Sequence, residues 1–197
     1  MDQADAALRR IVLTVALLNL AYFAIEFAVA LAIGSVSLFA DSIDFLEDAS
    51  VNILIVIALA WSTVSRARVG MALSLILLLP AIATIWAAWN KYNLPVAPAP
   101  VPLSLTGAGA LAVNATCALL LVRFRGRSGS LTRAAFLSAR NDVLANLAII
   151  GAGLITALLW QSAWPDLIVG AGIAIMNADA AREVWAAARA EHIAAKA

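Results

Sequence analysis

Between Gly34 and Asn52, four carboxylates, Asp41, Asp44, Glu47 and Asp48, fall within eight residues of an otherwise apolar run. Moving an ionised carboxylate into hydrocarbon costs about 2.5–3.5 kcal/mol even on the lenient insertion scale, so four together require a partner, a water-filled cavity or protonation. Residues four apart share a helix face. Asp44 and Asp48 therefore stack one turn apart, Asp41 and Asn52 extend the stripe in both directions, and Glu47 lies modestly off it. Nothing in Ser37 to Trp61 suggests that these acids lie in a loop, because the stretch has no proline or glycine.

A second polar stripe recurs at intervals of four in Ser138, Asp142 and Asn146, with Arg140 and Asn141 pointing elsewhere. At 1.5 Å per residue, Asp44 and Asp48 lie ~10–16 Å from the outer end of their helix and Asp142 ~12 Å from the inner end of its own. In a hydrocarbon core ~30 Å thick these depths converge near the midplane. Three carboxylates with a hydroxyl and amides at one depth suit a divalent cation, and Ser138, Asn141 and Asn146 are the candidates beside Asp44, Asp48 and Asp142. A carboxylate proton relay is the alternative. The two are compatible, because carboxylates must lose protons to bind metal, and such coupling is the physical core of an antiporter. Glu26, in the preceding apolar run, reads equally as a proton carrier or path residue and as a partner of Tyr22, Asn19 or a group on the later stripe.

Only a membrane bundle can position such stripes in this composition. The chain is 64% hydrophobic and 13% charged, with a mean hydropathy of +0.95, far from the roughly half apolar and quarter charged norm of soluble domains. The expected class is an all-α integral membrane protein. Hydropathy divides it into six runs, at about 11–33, 37–61, 71–89, 103–122, 134–159 and 166–187, forming one transmembrane domain without a soluble terminal domain. The first run is too long for the core of a secretion signal. Short connections at Gly34–Val36 and Trp160–Pro165 make helices 1 and 2, and helices 5 and 6, antiparallel neighbours. The four prolines of Asn93 to Pro102 predict an extended tether between helices 3 and 4, and Pro80 predicts a kink in helix 3.

Arginines cluster at Arg9–Arg10, Arg66–Arg68, Arg123–Arg133 and Arg182–Arg189, whereas the opposite side holds only Lys91. The positive-inside rule then places both termini in the cytoplasm, in a plasma or inner membrane. All six tryptophans fall near helix ends, as an interfacial belt requires. Small-residue runs at Gly107, Gly151 and Gly170 allow close helix approach within the bundle or in a homodimer formed through the helices. Cys117 stands alone, which excludes an intrachain disulfide and reads as packing. His192 reads as a solvated tail residue, Asp166 as a favourable charge at the start of helix 6, and Asp179 with Arg182 as a local pair.

The run NLAYFAIEFAVALAIGSVSLFADSIDFLEDASVN, Asn19 to Asn52, resembles the first two helices of the cation diffusion facilitator family, and SARNDVLANLAIIGAG, Ser138 to Gly153, is similar to the family's second metal-binding helix. The resemblance implies Asp44 and Asp48 as helix 2 ligands and Asp142 as a helix 5 ligand of a tetrahedral site. Ser138 stands where the family usually has histidine or aspartate, which leaves Asn141, Asn146, Glu47 or water to complete the shell. The family's cytoplasmic domain and histidine-rich loop have no counterpart here.

The expected function is therefore efflux of a divalent transition metal in exchange for protons. Asp41, Glu47 and Glu26 line the path or couple protons. Without imidazole or thiolate the donor set is hard, which favours manganese, iron, cobalt, cadmium or zinc over copper. Metal ion, protons and bilayer are the expected partners, with no prosthetic group and no nucleic acid. The alternatives are a non-transporting metal-binding relative and, less favoured, a metal-dependent membrane enzyme. The chain lacks the DG and AR elements of head-group transferases, a nucleophile elbow and HExxH spacing, so no enzyme is expected.

Overall fold

The structure, a computed structural model, describes the backbone of residues 3–58, 78–122 and 129–194. Side chains are described within these segments apart from 3–6, 55, 58, 78–81, 129–141 and scattered positions beyond 179. Among the described residues six helices follow one another: α1 (Gln3–Ile33), α2 (Val36–Ala58), α3 (Leu78–Asn93), α4 (Pro100–Val122), α5 (Gly129–Leu158) and α6 (Trp164–Ala194). Trp61, Arg66, Arg68, Arg123, Arg125 and Arg127 lie outside the described residues, as do the side chains of Pro80, Arg133 and His192.

Length and composition alone mark two helical stretches as able to cross a membrane, Ala7–Ile33 with mean hydropathy 2.0 and Pro100–Val122 with 1.8. The reason α2 fails that test is the one that makes it interesting: its middle carries four acids. The apolar part of α5, Asp142–Leu158, is shorter.

Several boundaries differ from the expected runs, and proline explains the starts of α4 and α6. The tether is shorter than Asn93–Pro102, because α3 continues through Asn93 and α4 begins at Pro100, so that Pro100 and Pro102 sit in its first turn. Proline is tolerated there, where its missing N–H has no intrahelical acceptor. Pro165 likewise occupies the first turn of α6, which starts at Trp164. At the far end α6 runs on to Ala194, since the alanine-rich segment Ala186–Ala190 favours helix.

α1 packs along α2, and α4 along α5; α1 also meets α4, while α6 contacts α2, α3 and α5. The α1–α2 turn is Gly34–Ser35, with Gly34 at φ +61°, a left-handed conformation that glycine adopts without Cβ strain. Of the small residues, Gly107 lies against Ile149 of α5 and Gly170 against the backbone of Val36 and Ser37, whereas Gly151 faces open space. Leu38, Leu103 and Ile149, all fully buried, form an apolar cluster with Ala30 and Ile173. A second cluster joins Val12, Val15, Cys117 and Leu121. Trp86, Trp89, Trp160, Trp164 and Trp185 are exposed, as an interfacial belt requires.

Candidate cation site

The spacing on α2 turns the acids toward α1 and α5. Asp41 and Ser42 are fully buried, and Asp44, Glu47 and Asp48 are partly buried. Asp142 of α5 faces this row. Its carboxyl group lies within hydrogen-bonding reach of Asp48 and interacts electrostatically with Asp41 and Glu47, while Asp44 in turn feels Asp142. Asp44, Asp48 and Asp142 are thus neighbours where α2 meets α5. Among the described residues, no three histidine, cysteine, aspartate or glutamate side chains stand close enough to ligate one ion together.

Around these acids runs a chain of amides. Asn146 Nδ2 donates to Asp41 Oδ2 at 2.5 Å, and Asn146 Oδ1 accepts from Asn114 Nδ2 of α4 at 3.1 Å. Both ends of the Asn146 amide are therefore engaged, and Asn146 positions Asp41. Asn52 Nδ2 donates to the Asp48 backbone carbonyl at 2.7 Å, and the buried Asn52 Oδ1 and Glu47 Oε2 have no partner among the described residues. The side chains of Ser138, Asn141 and Arg140 lie outside the described residues.

Glu26 is fully buried, makes no hydrogen bond to Tyr22, Asn19 or Asn146 among the described residues, and faces Asp41. Tyr22 instead donates its hydroxyl to the Thr106 carbonyl at 2.7 Å, and Asn19 Oδ1 accepts from Cys117 Sγ at 3.4 Å. Asn114 was missed by sequence reasoning. A lone amide inside the apolar run Leu103–Val122 was its signal.

A second polar assembly lies where the α1–α2 turn, the end of α3 and the start of α6 meet. Asp166 lies in the first turn of its own helix, as expected, and its carboxylate also serves α2. Its Oδ1 accepts from Ser35 Oγ and Ser37 Oγ, each at 2.6 Å, and from Ser37 N at 3.1 Å, while Oδ2 accepts from Val36 N at 2.8 Å. Ser35 Oγ caps Leu38 N at 3.1 Å. Three of the orphan donors that open a helix are thereby satisfied. Lys91 Nζ lies 3.4 Å from Asp166 Oδ2 and also donates to the Gly34 carbonyl, so all three segments are tied through two buried charges. By contrast, Asp179 and Arg182 form no ion pair, both being exposed where water competes for their charge.

A buried row of acids on α2 facing an acid on α5 matches the resemblance noted in the sequence, and a comparison with family models decides it: the cation efflux transmembrane domain matches residues 12–189. The chain belongs to the cation efflux, or cation diffusion facilitator, family. No curated protein matches it. As a cation efflux domain it is a membrane protein, its family carries metal cations as substrates, and that work is transport rather than catalysis. Both motif stretches, Asn19 to Asn52 and Ser138 to Gly153, lie inside the matched range.

Proposed function

We propose that this cation efflux domain exports a divalent transition metal from the cytoplasm in exchange for protons, with both termini cytoplasmic, and that Asp44, Asp48 and Asp142 hold the metal in transit. The observation that carries this reading is the facing of Asp142 on α5 with Asp44 and Asp48 on α2, inside a helix bundle where their charge needs a cation. Ser138 and Asn141, on the turn of α5 preceding Asp142, are proposed to supply the remaining oxygen ligands. All-oxygen ligation favours manganese, iron, cobalt, cadmium or zinc. Because the carboxylates must be deprotonated to bind, metal entry expels protons, which supplies the exchange. Glu47, with a buried oxygen lacking a partner among the described residues, lines the approach.

The test is metal uptake into inverted membrane vesicles. Asp48→Ala and Asp142→Ala should each abolish uptake while the protein stays expressed and inserted; normal uptake by both variants would remove these residues from the site. A second reading, a metal-binding relative that does not transport, draws on the absence of three mutually ligating His, Cys, Asp or Glu side chains among the described residues. Reconstituted protein that binds metal without flux would establish it.

A further inference from the structure

We propose that Tyr22 of α1 is a positioning residue for metal transport: through Phe45 and the Thr106 carbonyl it braces the acid row of α2 against α4. These two helices barely touch directly. Tyr22 spans them. Its ring packs on Phe45 of α2, with centroids 5.1 Å apart and planes tilted by 50°, and its hydroxyl donates to the Thr106 carbonyl of α4 at 2.7 Å. Phe45 is fully enclosed, so the ring contact lies inside the bundle.

The surface of α4 is shaped to receive the hydroxyl. A Cβ at Gly109 would collide with the Tyr22 hydroxyl oxygen and would lie 3.0 Å from its Cζ and 3.3 Å from its Cε2. Glycine in a helix interior weakens the helix relative to alanine, and here the missing methyl is the space that the hydroxyl occupies. Thr106 and Ala110 are four apart on α4, so the hydroxyl reaches one rung of that helix's own ladder. The carbonyl has two lone pairs and can serve both donors.

The brace acts where the acids are. Phe45 follows Asp44 directly and stands four residues from Asp41 and three from Asp48, so a shift of Phe45 carries the row with it. The same row is held a second time, through Asp41, Asn146 and Asn114, and that chain also ends on α4. Thr106 and Asn114 are about 12 Å apart along α4, so two separate struts fix α2 against one helix. Like charges on α2 and α5 repel until a cation arrives, and a constellation already held in place binds with less ordering cost. The role rests on the transport reading above, in which Asp44, Asp48 and Asp142 hold the metal.

The experiment uses the full chain in proteoliposomes, as wild type, Tyr22→Phe, Gly109→Ala and the double variant, and measures zinc and manganese uptake, each ion alone, at one fixed pH. Tyr22→Phe keeps the ring on Phe45 and removes only the hydroxyl. Its apparent KM should rise about three- to tenfold, the equivalent of one hydrogen bond, with the maximal rate changed less than about twofold. Gly109→Ala expels the hydroxyl and should raise KM at least as much. Once the oxygen is gone the added methyl meets only the ring, so the double variant should show a KM no higher than Gly109→Ala alone. In unfolding curves Gly109→Ala should likewise cost less in the Tyr22→Phe background than in wild type. Lower stability with an unchanged KM makes Tyr22 a packing residue alone and overturns the positioning role. KM increases that multiply in the double variant show that the two residues act separately and overturn it as well. Wild type that carries neither ion overturns the transport reading; the brace is then decided by the coupling in the unfolding curves, whose presence upholds it and whose absence overturns it.

Discussion

Asn146 spends one amide on two buried partners, and that gives it a measurable value. Truncating it leaves Asp41 Oδ2 and the Asn114 amide without their bonds, and an unsatisfied buried polar group costs about 1–3 kcal/mol, more when charged. Asn146→Ala should lower stability in detergent unfolding by at least that range, and Asn146→Asp by more, because it sets a second carboxylate against Asp41. Equal stability of all three proteins would show that the amide chain is not made. The spacing of four that relates Asn146 to Asp142 was legible in the sequence, and it suggested a metal ligand. What the sequence did not carry was the competing partner. Asp41 lies 105 residues away, and a period of four places residues on a face without saying which neighbour claims each end of an amide. Glu26 is a similar case: its place in an apolar run was legible, but Ile25 beside it is exposed, and both the burial of Glu26 and its neighbour on α2 depend on how α1 and α2 pack.

Whole helices are arranged so that backbone meets backbone at the start of α2, and Gly170 shows how tightly. A Cβ at that position would lie 2.9 Å from the Val36 carbonyl carbon and 3.0 Å from Ser37 N, neither of which can swing aside as a side chain would. Gly170→Ala must push α6 away from the same turn that Asp166 caps, at an expected cost of about 1–3 kcal/mol for overpacking. Gly172→Ala adds a methyl where nothing lies within 4 Å and should be neutral or slightly stabilising, helix propensity favouring alanine by up to about 1 kcal/mol. Paired thermal unfolding curves would decide between this assignment and a lipid-facing or dimer-facing role, for which Gly172 would be the more sensitive position. Six apolar runs and two tight hairpins could be read directly from hydropathy and loop length. The start of α4 could not, because the prolines that exclude a helix interior are welcome in its first turn, and no pattern in Pro95–Pro102 marks where the first turn begins.

For the whole molecule to exchange ions, the bundle must open alternately to each side, and its construction locates what has to part on one of them. From the acids toward the α1–α2 turn, the interior passes into the apolar cluster of Leu38, Leu103 and Ile149. It ends at the Asp166–Lys91 assembly that ties α2, α3 and α6. With both termini cytoplasmic, as proposed, this sealed end is the outer one. Val36, 3% exposed and held through its N–H by Asp166, is a reporter for its opening. In a Cys117→Ala background, Val36→Cys should react slowly with a membrane-impermeant thiol reagent added outside. A metal gradient should quicken the reaction about tenfold, corresponding to a shift of about 1.4 kcal/mol toward the open form. Lys91→Met removes the cation from Asp166, and breaking a buried pair from one side costs about 3–5 kcal/mol. It should therefore raise the labelling rate even without metal, because the closed form alone loses that stabilisation. If measured flux proceeds while the thiol introduced by Val36→Cys labels at one constant rate with and without Lys91→Met, the outer end does not open at this assembly, and the path must leave the bundle elsewhere.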